Sequence, residues 1–120
     1  MCGLLGILTA NSDAAELVPV VERALPCMRH RGPDDAGTWH DEDAVFGFNR
    51  LSIIDIAHSH QPLQWGPENQ PNRYSMTFNG EIYNFVELRK QLEKEGYAFN
   101  TSGDGEPIVV GFHHWGADVV

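Results

Sequence analysis

The chain has 120 residues, 42% of them hydrophobic, and a formal net charge of −9 from 17 acidic and 8 basic side chains. That length supports one domain with a real core and is too short for two, and the acidic balance argues against nucleic acid or an anionic membrane as partner. The opening MCGLLGILTANSDAAEL has neither the basic leader of a secretory signal nor the roughly 20 apolar residues of a membrane span, so a cytoplasmic protein is expected. In a reducing compartment Cys2 and Cys27 stand as thiols and not as a disulfide.

Gly3 to Thr9 reads as a short buried strand. From Asp13 to His30, Leu17, Val20, Val21, Ala24, Leu25 and Met28 recur at roughly helical spacing. Pro19 suits a first helical turn, whereas Pro26 removes a backbone donor and crowds the turn before it, so a kink or early end is expected there. Arg31-Gly32-Pro33-Asp34 is loop punctuation. Gly37 to Ile54 predicts two strands joined by the acidic turn His40-Asp41-Glu42-Asp43, the second strand running from Val45 to Ile54.

Gln61 to Asn72 holds three prolines and is expected to be loop throughout. Tyr74, Met76 and Phe78 then alternate with Ser75 and Thr77 as a half-buried strand does. Asn84 followed by Glu87 reads as a capping pair, and Phe85, Leu88 and Leu92 share one helical face until Gly96. A strand is expected at Tyr97 to Thr101, then a helix from about Asp104 with Gly116 as its stop. The apolar end at Val119-Val120 suggests a further strand and a longer parent protein. The order of elements implies an α+β fold with largely antiparallel strands.

Four places carry residues suited to chemistry. If Met1 is removed, Cys2 bears a thiol and a free α-amine on one residue; an amine with a pKa of about 7.7 to 8.0 is a built-in general base for that thiol. Arg50 lies in an apolar segment and requires an anion, either a substrate carboxylate or an acid such as Asp55 or one from a neighbouring strand. Asn79-Gly80 sits between a strand and a helix, where a side-chain amide and a backbone N–H can form an oxyanion hole; alone, Asn-Gly is more often a hairpin turn. Asp104 either caps the last helix or faces a substrate ammonium. His58, His60, His113 and His114 lack a third ligand at metal spacing, so loop or surface histidines and no metal site are expected, and Asp41-Glu42-Asp43 reads as a solvated turn.

Met-Cys-Gly at the start, His30-Arg31-Gly32-Pro33-Asp34, Arg50-Leu51-Ser52-Ile53-Ile54-Asp55, Asn79-Gly80-Glu81-Ile82-Tyr83-Asn84 and Gly103-Asp104-Gly105-Glu106 together resemble, in order, the glutaminase half of glutamine-hydrolysing asparagine synthetases. That half is a class II glutamine amidotransferase domain of the N-terminal nucleophile hydrolase superfamily. The resemblance implies a four-layer αββα sandwich of antiparallel sheets, of which residues 1–120 form the N-terminal part, C-terminally incomplete, with the synthetase domain absent. It implies Cys2 as nucleophile with its own α-amine as base, and Asn79 and Gly80 as the oxyanion hole. Arg50 would hold the α-carboxylate of glutamine, Glu81 and Asp104 its amino group or carboxamide end, and backbone near Ile53 and Ile54 would line the pocket.

The family more often has Ser-Asp-Thr-Glu where this chain has Gly103-Asp104-Gly105-Glu106, so the hydroxyls of that loop are missing while the aspartate is retained. The implied activity is hydrolysis of glutamine to glutamate and ammonia, with the ammonia handed to a synthetase domain that converts aspartate to asparagine. No cofactor is implied for this domain; ATP and magnesium would belong to the synthetase domain, and the resemblance is compatible with an oligomeric parent protein. The alternatives are a glutamine-binding but inactive regulatory module, or the amidotransferase half of a related enzyme with another acceptor.

Overall fold

The computed structural model describes residues 1–10 and 13–119, which gather into two compact units. The first comprises Met1–Ser52, His60–Pro62 and Thr77–Asn79; the second comprises Ile53–Ser59, Leu63–Met76 and the chain from Gly80 onward.

In the first unit β1 (Gly3–Leu8), β2 (Asp35–His40) and β3 (Ala44–Arg50) form an antiparallel sheet in the order β1-β3-β2. Gly3 lies opposite Asn49 and Leu8 opposite Ala44, while Asp35 lies opposite Arg50. The two-residue period puts Leu5, Ile7 and Val45 on one face, where they pack with Val21, Leu25, Leu17, Val18 and Met28. Val21 and Val45 are fully buried, each such burial stabilising by about 1.5–3 kcal/mol. The helical segment that covers this face is divided as its prolines dictate: a 3-10 turn (Ala14–Leu17), α1 (Val18–Ala24) and a second 3-10 turn (Leu25–Met28), with Pro19 and Pro26 in the first turns of the latter two. The buried Asn49 amide donates to the Leu25 carbonyl at 2.6 Å, satisfying one of the acceptors left at the end of α1. Between β2 and β3 the Asp41 carboxylate accepts from the N–H groups of Asp43 and Ala44 at 2.9 and 2.8 Å, which makes the acidic turn self-contained.

β3 ends at Arg50, four residues before the expected end at Ile54. The next two backbone donors are taken by side chains instead of a neighbouring strand: Leu51 N–H points to the Cys2 sulfur at 3.3 Å, and Ser52 N–H to the Asp34 carboxylate at 2.8 Å.

In the second unit β4 (Leu63–Trp65) and β5 (Tyr74–Met76) form an antiparallel pair, and α2 (Phe85–Lys94) and α3 (Gly105–Trp115) complete it. Trp65, Leu92, Val109 and Val110 are the buried core, flanked by Leu63, Tyr74, Met76, Leu88, Tyr97 and Phe99. β4 corrects the expectation of unbroken loop over Gln61 to Asn72: the prolines punctuate that segment, yet Leu63–Trp65 between them pairs with Trp65 inward.

The expected strand at Tyr97 to Thr101 is absent. The Glu106 carboxylate, 2% exposed, accepts the backbone N–H groups of Asn100 (2.9 and 3.1 Å) and Thr101 (2.7 Å) and the Thr101 hydroxyl (2.7 Å), so those donors are closed onto α3. Asn84 occupies the position before α2 without the side-chain capping bond expected of it, and Asp104, before α3, makes no capping bond either, which removes one of its two readings. Residues Gly116–Val119 form a 3-10 turn in place of a further strand, and Val120 lies outside the described residues. The architecture is α+β with antiparallel sheets, as the sequence implied.

Candidate functional site

Cys2 immediately precedes β1 and is half-buried. Its sulfur accepts the Leu51 N–H at 3.3 Å and its thiol faces the Leu51 carbonyl at 3.7 Å, so the side chain is fixed beside the residue that follows Arg50. The Cys2 carbonyl in turn accepts from Nε and Nη2 of Arg31, both at 3.4 Å. Arg31 reaches it because the Arg31-Gly32-Pro33-Asp34 loop presses against β3: a Cβ at Gly32 would collide with the Asn49 carbonyl. Two residues on, Asp34 brackets Arg50, its N–H donating to the Arg50 carbonyl at 3.0 Å and its carboxylate accepting from Ser52. Arg50 is 4% exposed, at the end of β3.

Asn79, half-buried, also belongs to the first unit, and the residue before it is pinned from the side. The Gln61 side chain accepts the Phe78 N–H at 2.6 Å and donates to the Phe78 carbonyl at 3.1 Å, imitating one rung of a sheet. Asn79 and Gly80 lie in the irregular segment between β5 and α2, which removes the hairpin-turn reading.

In the second unit Asp104 accepts the Ile82 N–H at 3.0 Å, which ties the start of α3 to the Gly80-Glu81 segment. Glu81 is exposed, as are Ile53 (65%) and Ile54 (37%), the last two on irregular chain. The Ser102 to Glu106 stretch does not offer all its carboxylates to solvent: Glu106 is buried and committed to Asn100 and Thr101, leaving Asp104.

Thus the first unit holds Cys2, Arg50 and Asn79, and the second holds Ile53, Ile54, Gly80, Glu81 and Asp104. Reading the sequence gives no role to Arg31, Asp34 and Gln61, all supports acting through hydrogen bonds to backbone; Arg31 and Asp34 stand in the His30-Arg31-Gly32-Pro33-Asp34 motif of the resemblance, and Gln61 is marked only by its place before Pro62. The same reading missed Asp55 as a hub. Asp55 adopts φ 47°, and its side chain, 5% exposed, accepts the Ser102 N–H at 2.7 Å; that bond, aided by His58, holds its carboxyl down at about 2.

Among the described residues no three His, Cys, Asp or Glu side chains are placed to hold a metal ion. His113 and His114 are on α3; His114 is exposed, as a surface histidine is, whereas His113 is a correction to loop or surface placement, half-buried within 3.2 Å of the Tyr74 hydroxyl and 5.3 Å from the Trp65 ring. A cleft of about 660 Å3 in the first unit is bordered by Glu22, Arg29, Asp34 and Asn49 and is not lined by Cys2 or Arg50. Among the described residues no helix is long and apolar enough to cross a membrane.

Residues 1–120 match the model of the glutamine amidotransferase domain. The chain is 55% identical over 131 aligned positions to a Mycobacterium tuberculosis protein provisionally named a glutamine-hydrolysing asparagine synthetase, covering 100% of this chain and 20% of that protein. It is 42% identical to glutamine-hydrolysing asparagine synthetase 1 of Bacillus subtilis (96% and 18% covered) and 35% identical to glutamine-hydrolysing asparagine synthetase B of Escherichia coli (98% and 20%). The chain spans about a fifth of the length of these curated relatives.

Proposed function

The chain belongs to the glutamine amidotransferase domain family, a family of enzyme domains, and from that premise we propose that it hydrolyses the side-chain amide of glutamine with Cys2 as nucleophile. The observation that carries this reading is the Leu51 N–H on the Cys2 sulfur, which fixes a half-buried thiol at the start of a strand and beside Arg50.

Met1 is 74% exposed, so the bond before Cys2 is open to a processing enzyme. Once it is cut, the α-amine takes the thiol proton and the sulfur attacks the amide carbon of glutamine. The carbonyl oxygen becomes an oxyanion held by the Asn79 amide and the Gly80 N–H. The α-ammonium then returns a proton to the departing nitrogen, ammonia leaves, and a γ-glutamyl thioester remains. Water deprotonated by the same amine attacks the thioester, releasing glutamate and restoring the thiol.

Arg50 receives the α-carboxylate through its fork, Asp104 and Glu81 the α-ammonium and carboxamide end, and backbone at Ile53 and Ile54 the chain between. For the parent protein we propose that the ammonia passes to a synthetase domain, where ATP and magnesium activate aspartate for conversion to asparagine; the names of the relatives support this, and the glutaminase domain itself needs no cofactor for the steps above. The other face of the first unit's sheet suits a four-layer sandwich: Leu4 and Leu8 are 46% and 79% exposed, with Trp39 stacked on Phe46 at 5.4 Å, an apolar surface of the kind that a second sheet covers.

The test is glutamine hydrolysis by the full-length protein with Cys2→Ala. The reading predicts loss of glutaminase activity with ammonia-dependent synthesis retained; persistent glutamine hydrolysis would refute it.

A further inference from the structure

Asp55 takes no part in the steps proposed above, yet its carboxylate and carbonyl are heavily engaged. Its carboxylate accepts the Ser102 N–H at 2.7 Å and the Ser59 hydroxyl at 3.3 Å and meets His58 Nδ1 at 3.0 Å, while its carbonyl accepts the N–H groups of His58 and Ser59 at 3.4 and 3.2 Å. The turn so formed lies directly against the next residue of the far loop, since a Cβ at Gly103 would collide with the Ser59 hydroxyl. Gly103 is held on its other side by Arg89, whose Nη2 donates to its carbonyl at 3.1 Å. Asp104 follows at once and accepts the Ile82 N–H at 3.0 Å. Asp55 therefore begins a continuous set of bonds that ends at the Gly80-Glu81-Ile82 segment, all within one compact unit.

We propose that Asp55 is a positioning residue for substrate recognition: by holding Ser102 it sets the Ser102-Gly103 loop so that the Asp104 carboxylate, steadied on Ile82, meets the α-ammonium of glutamine. This rests on the glutaminase reading and on Asp104 as the ammonium's partner. The backbone conformation supports a positional role, because φ 47° is a left-handed setting that non-glycine residues seldom occupy and that must be held by surrounding bonds. The low-lying carboxyl keeps the group ionised as the acceptor these donors need. The glycines at 103 and 105 give this loop few side chains of its own to fix it and make the Asp55 bond to Ser102 correspondingly more important.

The experiment compares glutamine with glutaramate, which lacks the α-amine, in the full-length protein. The quantity read is the ratio of kcat/KM for the two, which does not depend on the amount of folded enzyme. Asp55→Asn and Asp55→Gly both tolerate the left-handed backbone and weaken or remove the bond to Ser102. The preference for glutamine is expected to fall about tenfold in both, the scale of one charge-assisted hydrogen bond, as it does in Asp104→Asn. An unchanged ratio in the Asp55 variants beside a lowered one in Asp104→Asn would overturn the positioning role alone. An unchanged ratio in Asp104→Asn would overturn the assignment on which it rests, and the proposal with it.

Discussion

The Leu51 N–H donates to the Cys2 sulfur at 3.3 Å, and this one bond both ends β3 and locates the thiol. A strand donor that would otherwise extend a ladder is spent on a side chain 49 residues away, next to the buried Arg50. The end of the strand and the start of the site are the same event.

Arg50 is buried at the end of β3, where a guanidinium fork can be matched by the α-carboxylate of glutamine. Arg50→Lys keeps the charge and loses the fork. The KM for glutamine should rise about 10- to 100-fold with a smaller change in kcat, the equivalent of about 1.5 to 3 kcal/mol for a bond to a charged group. An unchanged KM would assign the arginine to structure alone.

Asn79 should act later, in the transition state. Asn79→Ala is expected to lower kcat by roughly 10² to 10³ with little change in KM, the usual result of losing one oxyanion donor. Steady-state kinetics of glutamine hydrolysis decide it: a rise in KM at constant kcat would make Asn79 a binding residue.

Glu106 makes a structural prediction with a local readout. Because its buried carboxylate holds the Asn100 and Thr101 N–H groups, Glu106→Gln should speed hydrogen exchange at those two amides about tenfold or more, with amides of β1 and β3 unaffected. Unaltered exchange at Asn100 and Thr101 would show that the carboxylate is not what closes this segment.

The sign of the acid dependence at Asp55 follows from its carboxyl lying at about 2, below the ordinary 3.8. A carboxyl lowered by folding stabilises the fold above its unfolded value, and that contribution is lost as pH falls through the folded one. The stability difference between the wild-type protein and Asp55→Asn should therefore be constant above about pH 4 and shrink between pH 4 and 2. Urea unfolding at several pH values measures it, and a difference that grows on acidification would contradict the assignment.

Period and punctuation made β1, the β2-β3 hairpin, the division at Pro26 and both later helices legible, since each depends on residues within a few positions of one another. The errors share another cause. β3 was overextended because Cys2 and Asp34 take its next donors from 49 and 18 residues away, and the strand expected at 97–101 is absent because Glu106 reaches back for its N–H groups. β4 was hidden among prolines, where pairing with Tyr74–Met76 decides the outcome over local composition. In the site, the residues suited to chemistry stood out by type, whereas Arg31, Asp34, Gln61 and Asp55 act on backbone atoms and leave no such mark.

The intact mass of the full-length protein, taken before and after treatment with a diazoketone analogue of glutamine and followed by peptide mapping, tests the central claim most directly. The account predicts a chain lacking Met1 and a single adduct on Cys2, blocked by excess glutamine. An adduct on Cys27, no adduct at all, or glutaminase activity in protein that retains Met1 would contradict it.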